Sequence, residues 1–222
     1  MALRLYYHPF SSFCQKVLVA LYEREVPFEP VAVDLGDAEQ RGALEAVWPM
    51  AKFPALRDET AGVTVAEASL IVEYLDRFGE APPLVPADRD ETLRVRLWDR
   101  VFDNYVEHPL QKAVGDHFRP AEARDAYGVE EAKALLLRAY AMIEAELART
   151  GAQWMAGDAF TLADCGAAPA LFYSSIILPL DGHPHLDAYY RRLRARPSFD
   201  RAVEEARPYR PFFPLDWPPD HA

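Results

Sequence analysis

The sequence predicts a mixed α/β domain of about eighty residues followed by an all-α domain, and three observations predict it. Apolar residues alternate at Leu3, Leu5 and Tyr7, at Val31, Val33 and Leu35, and at Val63 and Val65, between segments of helical spacing. Beyond residue 90 only the helical period remains. Between the two regimes lies a proline-rich seam, Ala81 to Pro86 (APPLVP). The expected division is residues 1–80, a linker over 81–88 and a helical domain over 89–222.

Each element has a local reason. The first strand stops at His8-Pro9. Ser11 and Ser12 then stand where a helix is capped, and Phe13, Val17, Ala20 and Leu21 recur behind them, with Gln15, Lys16, Glu23 and Arg24 on the other side. Such an N-terminus favours negative charge through its unpaired N–H groups and its dipole, so an anion site and an ordinary cap are both open readings. Val31 to Leu35 reads as a second strand and Ala38 to Val47 as a short helix. Two prolines, Pro49 and Pro54, hold the next segment out of the helical region. Ala55 to Arg57 and Val63 to Val65 flank a turn and form a hairpin. A helix over Glu67 to Phe78 puts Leu70, Ile71, Tyr74, Leu75 and Phe78 on one face, with Gly79 as its stop.

In the second region, Asp90 to Val106 is helical with Leu93, Leu97, Val101 and Tyr105 in register, and Pro109 should bend or end it. Val129 to Arg149 is a long helix with Ala132, Leu136, Ile143 and Leu147 inward and Gly151 past its end. Thr161-Leu162-Ala163-Asp164 fits a capping box, with Phe160 and Cys165 at the staple positions. Leu186 to Arg196 and Ser198 to Ala206 are shorter helices separated by Pro197, and Pro208 to Pro219 should pack irregularly.

Composition narrows the function. Of 222 residues half are apolar, which suffices for a sizeable core, and the net charge of −11 argues against a nucleic-acid or anionic-membrane surface. Only two cysteines occur, Cys14 and Cys165, so neither a disulfide framework nor a cysteine-rich metal site is expected. The longest uncharged run, Cys165 to Leu180, is too short to span a bilayer and the first residues form no signal-peptide core, so a cytoplasmic protein follows by elimination. His183 and His185 lack the accompanying ligands of a metal centre, and no metal is expected.

Three signals coincide in order and spacing: a strand running through Ser-Ser-Phe-Cys into a helix, Phe53-Pro54 before a hairpin, and Glu67-Ala68-Ser69 opening the next helix. The set resembles the thioredoxin-like N-terminal domain of cytosolic glutathione S-transferases of the bacterial, serine- or cysteine-using kind. The second half is similar to that family's helical domain at FTLADCGAAPALF (Phe160 to Phe172) and RLRARPSF (Arg192 to Phe199). The resemblance implies the glutathione transferase fold, glutathione as substrate, an apolar electrophile bound between the domains, a homodimer and a detoxifying role. Isomerisation, dehalogenation or peroxide reduction at the same site, or binding without catalysis, are the alternatives.

Residue by residue, the resemblance puts Ser11 at the glutathione sulfur, with Ser12 and Tyr7 as rivals; Tyr7 also reads as a packed strand aromatic. Pro54 takes the family's cis-proline position and leaves the Phe53 backbone to the cysteinyl unit. Glu67 matches the γ-glutamyl end, and Lys52 a polar position near the glycyl carboxylate. Ala68 departs from the family's usual serine, which puts glutathione affinity in question. A free thiol with pKa near ~8.5 is only about 3% ionised at neutral pH, so catalysis means stabilising the thiolate. A hydroxyl donor and a helix N-terminus do this, each charge-assisted hydrogen bond contributing roughly 1.5–3 kcal/mol. Cys14 sits where a dithiol enzyme has its second cysteine, but serine at the first position removes that cycle and leaves a buried, inert thiol as the expectation.

Overall fold

The computed structural model describes residues 2–218; Pro219, at the end of the segment expected to be irregular, lies outside them. Four strands and nine α-helices build it, in the order β1 (Leu3–Tyr7), α1 (Ser12–Glu23), β2 (Glu29–Ala32), α2 (Ala38–Val47), β3 (Ala55–Asp58), β4 (Val63–Ala66), α3 (Ala68–Leu75), α4 (Arg89–Val101), α5 (His108–His117), α6 (Ala126–Thr150), α7 (Leu162–Ile177), α8 (Pro184–Arg194) and α9 (Pro197–Ala206). The sheet order is β2-β1-β3-β4, with β1 parallel to β2 and antiparallel to β3. The hairpin pairs Leu56 with Val65 and Arg57 with Thr64.

Three departures from the sequence reading have physical causes. The second strand lies earlier than Val31 to Leu35, because pairing with Arg4 to Tyr7 sets its register. Helix α3 is shorter than expected at both ends, and Leu70 is exposed while Ala68, Ser69, Ile71, Val72 and Leu75 are buried. On α4 the expected stripe of Leu93 and Leu97 faces solvent, and Tyr105 beyond it is also exposed; Val95, Trp98, Asp99 and Val101 turn inward instead. The chain changes its winding just before Pro109, where the sequence reading placed a bend or an end. A π-helical turn, Phe102–Glu107, carries it into α5, where Pro109 sits in the first turn and needs no helical N–H partner.

Helix α1 lies between the sheet and the helical domain, packed against α3, α7 and α9. That position buries its polar side as well. Gln15 Nε2 donates to Tyr173 Oη (2.9 Å) and to the Pro9 carbonyl (3.0 Å). The buried Arg24 guanidinium donates to the carbonyls of Leu75, Phe78, Ala81 and Pro82, tying the end of α3 to the seam that follows. Gly79 is required there, since its φ is +74° and a Cβ would lie 2.9 Å from the Arg24 carbonyl oxygen. Asp164 caps α7, accepting from Thr161 N–H and hydroxyl, Met155 N–H and Tyr189 Oη.

Candidate active site

The site is built around the first turn of α1. Ser11 caps the helix from an extended conformation, and its Oγ accepts the Cys14 N–H at 3.4 Å. That bond uses an oxygen lone pair and leaves the hydroxyl proton for another acceptor. Ser12 is committed in the opposite sense: its hydroxyl donates to Glu107 Oε1 at 2.5 Å. Two neighbouring serines therefore differ in what they can offer a ligand. Cys14 lies under them, fully buried, and burial pushes its thiol up to about 12.

Two clefts touch this turn, one through Phe13 and the other through Ser11 and Ser12. The first has a volume of about 530 Å³ and is lined on the sheet side by Lys52, Phe53, Pro54, Glu67 and Ala68. The Phe53-Pro54 peptide is cis. Glu67 enters α3 with φ +69°, a left-handed conformation that costs a non-glycine residue roughly 1–3 kcal/mol and holds its exposed carboxylate at the cleft. Ala68 follows as the first, buried residue of α3. Its neighbour Ser69 also lines the cleft, with its hydroxyl engaged by Lys16 Nζ (2.9 Å), by Arg100 and by Asp103 (3.3 Å).

The far wall of this cleft is a charged cluster of Asp99, Arg100 and Asp103. Behind it Lys16, 1% exposed, pairs with Asp99 (2.5 Å) and Asp103 (2.8 Å), and Arg100 closes on both carboxylates from the solvent side. The cluster joins α1 and α3 to α4 and the π-helical turn. Every buried charge in it is matched, which is what burial of ions demands.

The second cleft, about 300 Å³, is lined by Phe10, Leu110, Val114, Phe118, Tyr173 and Phe213, with Ser11, Ser12, Glu107 and Gln111 as polar members. Glu107 is 3% exposed; its Oε1 also accepts from Gln111 Nε2 (3.2 Å), and its Oε2 has no hydrogen-bond partner among the described residues. Burial raises its carboxyl from 4.5 to about 7.

Of the residues singled out in the sequence, Ser11 and Ser12 line the second cleft and Lys52, Phe53, Pro54, Glu67 and Ala68 the first. Tyr7 lines neither; it is half-buried, burial raises its phenol, and its electrostatic neighbours are Glu205, Tyr209, Cys14 and Arg201. Sequence reasoning missed Lys16, Asp99, Arg100, Asp103 and Glu107. Lys16 read as part of the polar side of α1 and the other four belong to no motif; only the spacing of Asp99 and Asp103, one turn apart, could have pointed to a shared partner. Among the described residues no group of three or more His, Cys, Asp or Glu side chains is placed to hold a metal ion.

Comparison with known proteins bears on this arrangement. The family model of the glutathione S-transferase N-terminal domain matches residues 5–83, and that of the glutathione S-transferase C-terminal domain matches residues 126–192. A glutathione S-transferase of Silene vulgaris is 28% identical over 216 residues, covering 91% of this chain and 97% of that protein. Glutathione S-transferase 3 of Zea mays is 31% identical over 212 residues, covering 90% and 93%. The crystal structure of a glutathione S-transferase from Methylobacillus flagellatus with glutathione bound superposes with a TM-score of 0.82 at 26% identity, covering 90% of this chain and 98% of that one.

Proposed function

The chain belongs to the glutathione S-transferase family and is a glutathione transferase; from that premise we propose how its two clefts divide the work. Glutathione lies in the charged cleft. Lys52 meets the glycyl carboxylate, the Phe53 backbone beside cis-Pro54 pairs with the cysteinyl unit, and Glu67 meets the γ-glutamyl ammonium. Ala68 offers the γ-glutamyl carboxylate only its backbone N–H. The sulfur reaches the first turn of α1, and a small apolar electrophile occupies the second cleft.

The observation that carries this reading is the Ser11 hydroxyl. Its oxygen already accepts the Cys14 N–H, so its proton is available to a thiolate, at a helix N-terminus where Ser11 lines the apolar cleft and Phe13, two residues on, lines the charged one. Ser11 stabilises S⁻ by donating a hydrogen bond and keeps its own proton. Ser11→Ala should lower kcat by roughly ten-fold or more, about 1.4 kcal/mol of lost stabilisation. Tyr7→Phe should matter less, and the reverse ranking in steady-state kinetics would remove Ser11 from this role.

The resemblance supports a homodimer and a cytoplasmic detoxifying role as well. Leu70, Leu93 and Leu97, 55%, 69% and 57% exposed, present apolar side chains that a second copy would cover. Light scattering at micromolar concentration should give twice the mass of one chain; a monomer would count against it.

A further inference from the structure

We propose that Glu107, acting through the Ser12 hydroxyl, takes the proton of the glutathione thiol and returns it to the product, so that the apolar cleft serves α,β-unsaturated carbonyl electrophiles. The proposal rests on the glutathione reading above and extends it to the fate of the proton and the class of second substrate.

Four observations carry it. Glu107 closes a π-helical turn, a distortion that recurs at functional sites, and the turn delivers the carboxyl against the first residue of α1. The carboxyl is buried, lines the cleft and leaves Oε2 without a partner among the described residues. A structural carboxylate would be expected to have both oxygens satisfied, as the Asp164 cap does. Finally, Ser12 already points its proton at Glu107, so the lone pairs of its oxygen are what it can offer an S–H. Ser11 is oriented to stabilise the thiolate, and Ser12 to receive the proton that makes it.

The surrounding charges leave Glu107 free to titrate. Asp103, on the same turn, raises its carboxyl, and Lys16 of α1 lowers it. Lys16 is itself held by Asp99 and Asp103. Tyr173 of α7 faces Glu107 with a phenol that burial raises to beyond the neutral range, and Cys14 of α1 beside it is a neutral thiol. The carboxyl therefore lies near 7, raised mainly by burial.

The proton balance selects the substrate class. In the first step the S–H bond breaks, its proton passes to Ser12 Oγ as Ser12 passes its own to Glu107 Oε1, and the thiolate forms. Its electron pair then makes the C–S bond at the β-carbon of the unsaturated carbonyl, and the π electrons move to the carbonyl oxygen as an enolate. Glu107 returns its proton through Ser12 to the enolate, giving the saturated thioether and restoring carboxylate and hydroxyl. Nothing leaves, and no proton has to escape from a buried carboxyl. Displacement of an aryl halide differs, since both halide and proton must be released to water in every turnover.

The test compares wild type with Glu107→Gln, Ser12→Ala and the double variant, using 4-phenylbut-3-en-2-one and 1-chloro-2,4-dinitrobenzene as electrophiles with glutathione. Wild-type kcat/KM for the enone should fall on the acid side with a midpoint of about 7. In Glu107→Gln that limb should move up by about one pH unit or more, towards the ordinary thiol range. The ratio of enone to aryl-halide kcat/KM should fall by roughly five-fold or more, and the double variant should lose no more than either single one. An unchanged acid limb and an unchanged ratio in Glu107→Gln would overturn the proton relay while leaving glutathione conjugation standing. A wild type inactive on both electrophiles would fail one step earlier, at the glutathione reading, and take the relay with it. If Glu107→Gln does not fold by circular dichroism, Ser12→Ala decides the matter by the same two readouts, because it cuts the relay and keeps the carboxyl.

Discussion

The two clefts meet the same problem, burying a carboxylate beside a ligand, with opposite solutions. At the first, Asp99 and Asp103 are each paired with both Lys16 and Arg100, so the carboxylates of that wall have cations against them. At the second, Glu107 has only a hydroxyl and an amide as donors, and burial brings its carboxyl close to neutrality. Asp103 and Glu107 lie in the same π-helical turn, about one turn apart. A paired carboxylate makes a permanent electrostatic surface, and an unpaired one makes a proton site. The difference lies in which residues of α1 each one meets.

The largest test of this contrast is to remove the cation from the first cluster. Lys16→Met leaves the buried Asp99 and the partly buried Asp103 with only the half-exposed Arg100 to neutralise them. Breaking a buried pair from one side costs about 3–5 kcal/mol, and Arg100 should keep the loss near the lower end. Urea unfolding at neutral pH measures it. A loss below about 1 kcal/mol would mean that the cluster contributes no more than an exposed ion pair.

Glu107 should show the reverse, with the sign fixed by linkage. Its carboxyl is raised in the folded chain from 4.5 to about 7, so the folded state binds more protons than the unfolded one between those values. Stability contributed by the neutral carboxyl is thus complete below pH 4.5 and is lost as pH rises through about 7. Full ionisation costs about 3 kcal/mol. Glu107→Gln should flatten this fall, gaining on wild type as pH rises and little at pH 4.5. Stability curves that stay parallel across that window would contradict the burial of an ionisable group there.

The smallest expected effect concerns the entrance of the first cleft. Ala68→Ser restores a hydroxyl beside the γ-glutamyl carboxylate, and a hydrogen bond to a charged group is worth roughly 1.5–3 kcal/mol, partly recovered by water in the native site. A net gain of about 1 kcal/mol, roughly five-fold in Kd, is expected by calorimetric titration. Unchanged binding would place Ala68 out of contact with the tripeptide. Cys14 should meanwhile resist alkylation in the folded protein, its thiol being pushed up to about 12.

Much of the fold was legible because its signals are local. The strand from Leu3, helix α2 and the hairpin follow from alternation, caps and prolines within a few residues. Helix α6 was readable from its apolar spacing and from Gly151, whose left-handed φ of +61° ends it. What failed was the orientation of polar helix faces. Helix α4 carries two apolar stripes, Leu93 with Leu97 and Val95 with Trp98, and periodicity cannot say which one meets the core. Likewise Lys16 looks solvated until Asp99 and Asp103, more than eighty residues away, close on it.

The candidate site divides in the same way. Ser11, Ser12, Lys52, Phe53, Pro54, Glu67 and Ala68 sit in short motifs whose spacing is visible in one dimension. Glu107 and Tyr173 carry no motif, and they reach the cleft only through the packing of α1 against the helical domain. Tyr7 ends the strand beside the site without lining either cleft, and its electrostatic neighbours are Glu205, Tyr209, Arg201 and the Cys14 that lies under the serines.

The central claim is that the charged cleft holds the tripeptide and delivers its sulfur to Ser11. A crystal structure of the chain with glutathione bound tests it most directly. The account predicts the sulfur within about 3.5 Å of Ser11 Oγ, a sulfur–oxygen hydrogen bond at the first turn of α1, with the peptide along Phe53, Pro54 and Ala68. A sulfur held by the Tyr7 hydroxyl, or glutathione bound outside the cleft that these residues line, would contradict it.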